Sequence, residues 1–243
     1  MSDVGRKRKT NEDALFVDDD LGLYIVADGM GGHAAGEIAS REATATIYSM
    51  IKQALRDFGE LHGPLTEARS HAARQLMESA IQSATSIIYS MAELDRQKAG
   101  MGTTISALLL SGEYGVIGHV GDSRIYRVVG ENFEQLTEDH SLIAWQLKQG
   151  LISEEEAMVS PYRNVITRAV GNRDHVEVDT VLFPVEQNSR FLLCSDGLHG
   201  YLRSADIVST VKVGGETAVK QFIDLANQRG GKDNITVILV ELN

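Results

Sequence analysis

Four aspartates, Asp28, Asp122, Asp196 and Asp233, each stand beside a glycine or an asparagine where an apolar, β-type run starts or stops. In LYIVADGMGG and RFLLCSDGLHG the arrangement nearly repeats, with Asp28-Gly29 and Asp196-Gly197 each following a strand-like run. An Asp-Gly step is ordinarily a tight hairpin turn, and a hairpin requires a second strand directly behind it. Helical spacing follows instead, in AGEIASREATATIYSMIKQALRDF after Gly32 and again after Leu202. Carboxylates held at strand ends repel one another, and they take up protons or weaken the fold unless a cation neutralises them. The chain must therefore fold so that acids distant in sequence share a cation. Oxygen ligands of this hard type suit magnesium, manganese or calcium rather than zinc or copper.

With 243 residues and 43% apolar content, the chain is sized for one compact domain with an ordinary core. Its three prolines, Pro64, Pro161 and Pro184, mark no linker, so residues 1–243 read as a single domain. An excess of 34 acidic over 23 basic residues, net charge -11, argues against nucleic-acid and membrane partners. No uninterrupted apolar stretch reaches the length of a membrane span, and MSDVGRKRKTNED lacks the apolar centre of a signal peptide, so a cytoplasmic protein is expected. The single cysteine, Cys194, cannot form an internal disulfide, which is compatible with a reducing compartment.

DALFVD and GLYIVAD read as a hairpin turning near Asp19 to Gly22. Apolar residues from Ala43 to Phe58 recur at three and four, as do those from Leu76 to Leu94, which predicts two long antiparallel helices. TTISALLLS, YGVIGHVGD, SRIYRVV and FEQLT predict a local antiparallel meander with turns at Gly112 and Asp122. The stretch from Glu138 to Gly171 is helical or irregular, VEVDTVLF and RFLLCSD return to strand, a helix covers roughly Glu216 to Gln228, and ITVILVEL closes as a buried strand. Long helices come in pairs and strands exceed what one exposed sheet holds. The fold class is α+β, with two sheets packed between helix layers.

Gly29, Gly31 and Ala34 satisfy G-x-G-x-x-A between a strand and a helix, the spacing of a dinucleotide-binding turn. Asp28 would oppose a pyrophosphate there, and a second helix stands where a βαβ unit needs a strand, so a nucleotide-binding oxidoreductase fails. A thiol phosphatase needs an arginine six residues after its cysteine. Gly200 occupies that place, and Cys194 reads as a small apolar residue on a buried strand. Arg8 precedes Asn11, Glu12 and Asp13, either as a phosphate clamp beside acids or as part of a solvated basic run from Arg6 to Lys9. An anion-gripping arginine next to acids that hold cations is what phosphate ester chemistry requires.

RKTNED at Arg8 to Asp13, DGMGGH at Asp28 to His33, GDSR at Gly121 to Arg124, SDGL at Ser195 to Leu198 and GKDNIT at Gly231 to Thr236 together resemble the bacterial form of the metal-dependent type 2C Ser/Thr protein phosphatases. The motifs span nearly the whole chain in family order. The resemblance implies an α/β/β/α sandwich with a two-metal centre, Mn²⁺ or Mg²⁺, in a cleft at one edge. By matching position, Asp28 bridges both ions, the Gly29 carbonyl binds the first, and Asp196 and Asp233 bind the second. Glu12 and Asp13 act directly or through water, and Asp122 with Asp196 matches a third, weaker site, the alternative for Asp122 being a plain turn residue. A hydroxide bridging the ions then attacks phosphorus in line while Arg8 holds the non-bridging oxygens.

Many eukaryotic relatives place a histidine where this chain has Met30. His33, three residues on, is the candidate general acid, with a structural or substrate-contacting loop role as its alternative. The roles of His119, His140 and His199 stay open, and Asp139-His140-Ser141 is not read as a triad. Residues 141–171 match the position of the family's flap, a variable cover beside the cleft. The implied protein is a monomer that dephosphorylates phosphoserine and phosphothreonine in proteins, opposing a bacterial-type Ser/Thr kinase. The alternative is a non-catalytic phosphoprotein-binding relative, which would be expected to have lost metal ligands that this chain keeps.

Overall fold

A computed structural model describes residues 1–31, 35–57 and 66–242. In chain order the elements are β1 (Ser2–Asp3), β2 (Asp13–Asp18), β3 (Leu23–Met30), α1 (Ala35–Asp57), α2 (Glu67–Leu94), β4 (Gly102–Thr103), β5 (Ile105–Ser111), β6 (Tyr114–Val120), β7 (Arg124–Val129), β8 (Asn132–Gln135), α3 (Leu142–Lys148), α4 (Glu154–Val159), β9 (Asp179–Pro184), β10 (Arg190–Cys194), α5 (Asp196–His199), α6 (Ser204–Val213), α7 (Gly215–Gln228) and β11 (Ile235–Glu241). The strands form two antiparallel sheets, one in the order β1-β11-β10-β7-β8 and the other β2-β3-β5-β6-β9, with β4 paired to β3.

Each sheet is covered on both faces, which explains why the strand sequences read as nearly continuous apolar runs. On β3, Leu23, Ile25 and Ala27 pack with the α1 and α2 residues Ile47, Ile51, Met77 and Ile81, while Tyr24 and Val26 face the opposite sheet. On β10, Leu192 and Cys194 pack with Ile207, Val211 and Phe222 of α6 and α7, and Phe191 and Leu193 point inward. Strand alternation therefore separates two apolar faces, and the α/β/β/α layering follows from it. The predicted hairpin is β2–β3, and the two long amphipathic helices are α1 and α2. Phe58, at the predicted end of the first helix, lies outside the described residues.

Two expectations need correction. The spacing from Ile105 to Gln135 predicts one continuous meander, but β5 and β6 belong to one sheet and β7 and β8 to the other. All of β6 is buried and its free edge is taken by β9, so the chain leaves that sheet at Gly121 and crosses to the second. Asp122 thus sits on a crossover and not on a hairpin turn. Nor does β3 stop at Asp28: it continues to Met30, with Asp28 directly opposite Asp13 and with Gly29 and Met30 opposite β4.

Candidate metal centre

The acids meet at one end of the sandwich. Antiparallel register puts Asp13 of β2 across from Asp28 of β3. Asp196 opens α5 directly after β10, and Asp233 precedes β11, so the second sheet delivers its two acids to the same end. Glu12 is fixed through its backbone: its N–H donates to Asn234 Oδ1 (2.8 Å), and its carbonyl accepts from Gly29 N (3.2 Å) and Ser40 Oγ (2.6 Å). Asn234 completes that link by donating through Nδ2 to the carbonyls of Val4 (3.1 Å) and Thr10 (3.0 Å). Gly29 must be glycine because a Cβ there would run into the backbone carbonyl oxygens of Gly36 and Glu12.

The electrostatics are those of charges forced together. Burial raises the Asp28 carboxyl well above its ordinary value, and the charges of Asp13, Asp196, Asp122 and Asp233 push the same way. Asp13 is pushed up to about 6, chiefly by burial, against the lowering effect of hydrogen bonds from Thr236 and Ser195. Burial and the Asp196 charge carry Asp122 to about 7. Asp196 is raised by burial and by Asp233, and lies within hydrogen-bonding reach of Asp28. Glu12 is raised too, mainly by burial. Arg8 offsets part of this by donating from Nη2 to Asp233 Oδ2 at 2.8 Å, with half of its side chain exposed.

Buried polar atoms nearly always find a partner. Asp13 Oδ1 and Asp196 Oδ1 are buried with none in the protein. Two unpartnered carboxylate oxygens inside a self-repelling, all-oxygen cluster fit a hard divalent cation. Among the described residues no three His, Cys, Asp or Glu side chains form a complete cage around one point. A cation held there would therefore keep several waters or take backbone carbonyls, as Mg²⁺ and its like usually do.

Three histidines near the motifs act as clamps. His199 donates from Nε2 to the Asp122 carbonyl at 2.9 Å, and burial holds its pKa down to about 3. His119 bridges Ser106 Oγ (3.0 Å) and the Glu138 carbonyl (3.1 Å), is fully buried, and titrates near 4 for the same reason. His140 accepts from Gly121 N through Nδ1 at 3.1 Å and contacts Asp179 Oδ2 through Nε2 at 3.1 Å. The Asp139-His140-Ser141 run splits three ways, since Asp139 pairs with Arg124 at 2.6 Å and Ser141 caps α3 by accepting from Ala144 N. His33 lies outside the described residues.

Motif reading passed over the layer that orients the acids. Ser195 Oγ and Thr236 Oγ1 both donate to Asp13 Oδ2, at 2.9 and 2.6 Å. Thr104 Oγ1 accepts from Asp28 N at 3.0 Å, and Thr104 N donates to the Asp28 carbonyl at 2.9 Å. The signal was present, because Ser195 and Thr236 belong to the SDGL and GKDNIT runs. Only the fold assigns their hydroxyls to Asp13.

Beside the acids a cleft of about 780 Å³ runs under α3 and α4, lined by Asp122, Asp196 and Asp233 at one end and by Ile143, Leu147 and Met158 along the cover. The sequence profile of the family described as Protein phosphatase 2C matches residues 5–236. The serine/threonine phosphatase stp of Listeria welshimeri is 39% identical over 249 residues, an alignment that covers 100% of this chain and 94% of that protein. The crystal structure of the Mycobacterium tuberculosis serine/threonine phosphatase PstP/Ppp superposes with a TM-score of 0.88 at 31% identity, covering 100% of this chain and 97% of that one. The catalytic domain of the serine threonine protein phosphatase PstP in complex with two manganese ions superposes with a TM-score of 0.85 at 30% identity, covering 100% and 96%. Likeness of this extent, in sequence as in architecture, leaves one assignment: the chain belongs to the protein phosphatase 2C family.

Proposed function

We propose that this protein is a Mn²⁺- or Mg²⁺-dependent phosphatase that hydrolyses phosphoserine and phosphothreonine monoesters in proteins. The observation that carries the reading is the pair of buried, unpartnered oxygens, Asp13 Oδ1 and Asp196 Oδ1, in a cluster of acids with raised proton affinity. Asp28, the Gly29 carbonyl, Asp196 and Asp233 would hold two core ions, with Glu12 and Asp13 acting directly or through water. Asp122 with Asp196 would hold a third. When bound, such ions supply positive charge and an acidified water, both of which attack on a phosphate monoester dianion requires. Arg8 spends one N–H group on Asp233 and faces solvent, so its remaining donors grip the phosphate oxygens. Arg163 and Lys232, which also line the cleft, add positive charge along the approach.

Transfer goes to water without a covalent phosphoenzyme. The one cysteine, Cys194, is buried, and burial drives its thiol up to about 12, the wrong state for a nucleophile. His33 is the proposed proton donor to the leaving oxygen. Residues 141–171 serve as the flap that selects the phosphoprotein, within a single domain. The substrates are targets of a cognate Ser/Thr kinase, and the enzyme works as a cytoplasmic monomer. Among the described residues no helix is long and apolar enough to cross a membrane.

A non-catalytic phosphoprotein-binding role is the weaker reading, because every acid of the cluster is retained. The deciding assay follows hydrolysis of a phosphothreonine peptide with Mn²⁺, with chelator, and with Asp196→Ala. Activity should require the ion and vanish in the variant; turnover indifferent to both would end the proposal.

A further inference from the structure

Asp13 is held by a closed ring of hydrogen bonds that begins and ends on it. Its backbone N–H donates to Asn11 Oδ1 at 3.1 Å, and Asn11 Nδ2 donates to Ser2 Oγ at 2.7 Å. Ser2 Oγ lies 2.7 Å from Thr236 Oγ1, which donates to Asp13 Oδ2 at 2.6 Å. Ser195 closes on the same oxygen from another side, donating to Oδ2 at 2.9 Å while accepting from Thr236 N at 3.0 Å.

Counting protons sets the direction of this ring. An ionised carboxylate only accepts, so the single hydroxyl hydrogen of Thr236 is committed to Asp13. Ser2 must then donate to Thr236, which leaves the Ser2 oxygen to accept from Asn11. The Asn11 amide is oriented by the same logic, since its carbonyl oxygen has to face the Asp13 N–H. Every hydrogen runs one way around the ring and ends on Oδ2, an order in which each bond polarises the next. The result is an asymmetric carboxylate, with Oδ2 taking two donors and Oδ1 buried with none.

Ser2 reaches this position through the pairing of β1 with β11, whose register sets Ser2 opposite Thr236. A two-residue strand at a sheet edge would close that edge with any side chain. The hydrogen bonds of its hydroxyl, to Asn11 and Thr236, both belong to the ring. We infer that Ser2 and Asn11 are positioning residues for Asp13, which saturate one carboxylate oxygen through Thr236 so that the other is presented to a divalent cation or to the water that cation carries. The inference rests on the metal-dependent reading above. Neither residue touches the reacting atoms.

The test is Mn²⁺ binding by isothermal titration calorimetry, alongside the melting temperature of the metal-free protein. Partners of metal ligands typically change affinity on the order of 10- to 100-fold when removed, so Ser2→Ala should weaken Mn²⁺ binding by about tenfold. Asn11→Ala should do the same, and the double variant should lose little more than either single one, because both act through the same oxygen. Ser2→Thr, which keeps the hydroxyl, should bind as the wild type does. The metal-free melting temperature of Ser2→Ala should stay close to that of Ser2→Thr. Wild-type affinity in Ser2→Ala, failure of Ser2→Thr to restore it, or losses that add in the double variant would each overturn the inference. If the wild type itself takes up no Mn²⁺, the metal-dependent reading falls instead.

Discussion

Asp13 and Asp28 face each other across adjacent strands, buried, with raised proton affinity, and such a pairing costs stability that the fold must recover elsewhere. Cross-strand carboxylates are normally avoided for this reason. Removing one charge while keeping its shape should relieve the strain: in chelator, Asp13→Asn should melt several degrees above the wild type, roughly the shift expected of 1–2 kcal/mol. Its phosphatase activity should fall at least about tenfold as the cation loses a ligand or an outer-sphere partner. A metal-free variant that melts below the wild type would show that hydrogen bonds to the charged form outweigh repulsion. Arg8 invites the complementary experiment, because it is half exposed and pairs with Asp233. If Arg8 grips phosphate before and during reaction, as proposed, Arg8→Ala should raise KM for a phosphopeptide by about tenfold and leave kcat within roughly a factor of three. An unchanged KM would confine Arg8 to its partnership with Asp233.

Single elements divide the work. The strands hold Asp13 and Asp28 through register, whereas α3, α4 and the turns flanking them expose the apolar side chains Trp145, Leu151, Met158, Val159 and Tyr162, of which Met158 lines the cleft. α4 is secured by a capping box between Ser153 and Glu156, so a six-residue helix holds its shape with little buried beneath it. Lys148 on α3 is anchored to Glu138 at 2.6 Å, which ties this cover to the chain just beyond β8. Exposed apolar surface next to a catalytic cleft fits contact with substrate protein more than with the phosphate itself. Met158→Asp should therefore lower kcat/KM on a phosphoprotein by about fivefold or more and leave hydrolysis of p-nitrophenyl phosphate unchanged. Equal losses on both substrates would place Met158 in the chemistry or in the fold, and remove the flap from substrate selection.

Across the whole molecule, two sets of buried groups oppose each other as pH changes. Asp13 near 6 and Asp122 near 7, against an ordinary 3.8, keep protons in the folded chain that the unfolded chain has already released. Stability of the metal-free protein therefore falls as pH rises from about 4 to 7. His119 works the other way: with its pKa lowered from 6.5 to about 4, the unfolded chain gains a proton first, and stability falls as pH drops through that interval. A divalent cation offsets only the first set. Mn²⁺ should thus raise the melting temperature more at pH 7.5 than at pH 5, as scanning calorimetry with and without chelator would measure; an equal increment at both pH values would mean that the ion does not bind these carboxylates. Much of this was legible in the sequence. Periodicity determined the paired helices, apolar runs determined doubly covered strands, and five motifs determined the family, because local spacing and residue chemistry are carried by neighbours along the chain. What neighbours cannot carry is the meeting of distant groups. The opposition of Asp13 and Asp28 needed only the register of the local β2–β3 hairpin, but the crossing between sheets at Gly121 and the ring from Ser2 through Thr236 to Asp13 were decided only when two sheets packed together, since hydrogen bonds such as those joining Ser2 to Thr236 and Thr236 to Asp13, more than 200 positions apart, exist in no local pattern.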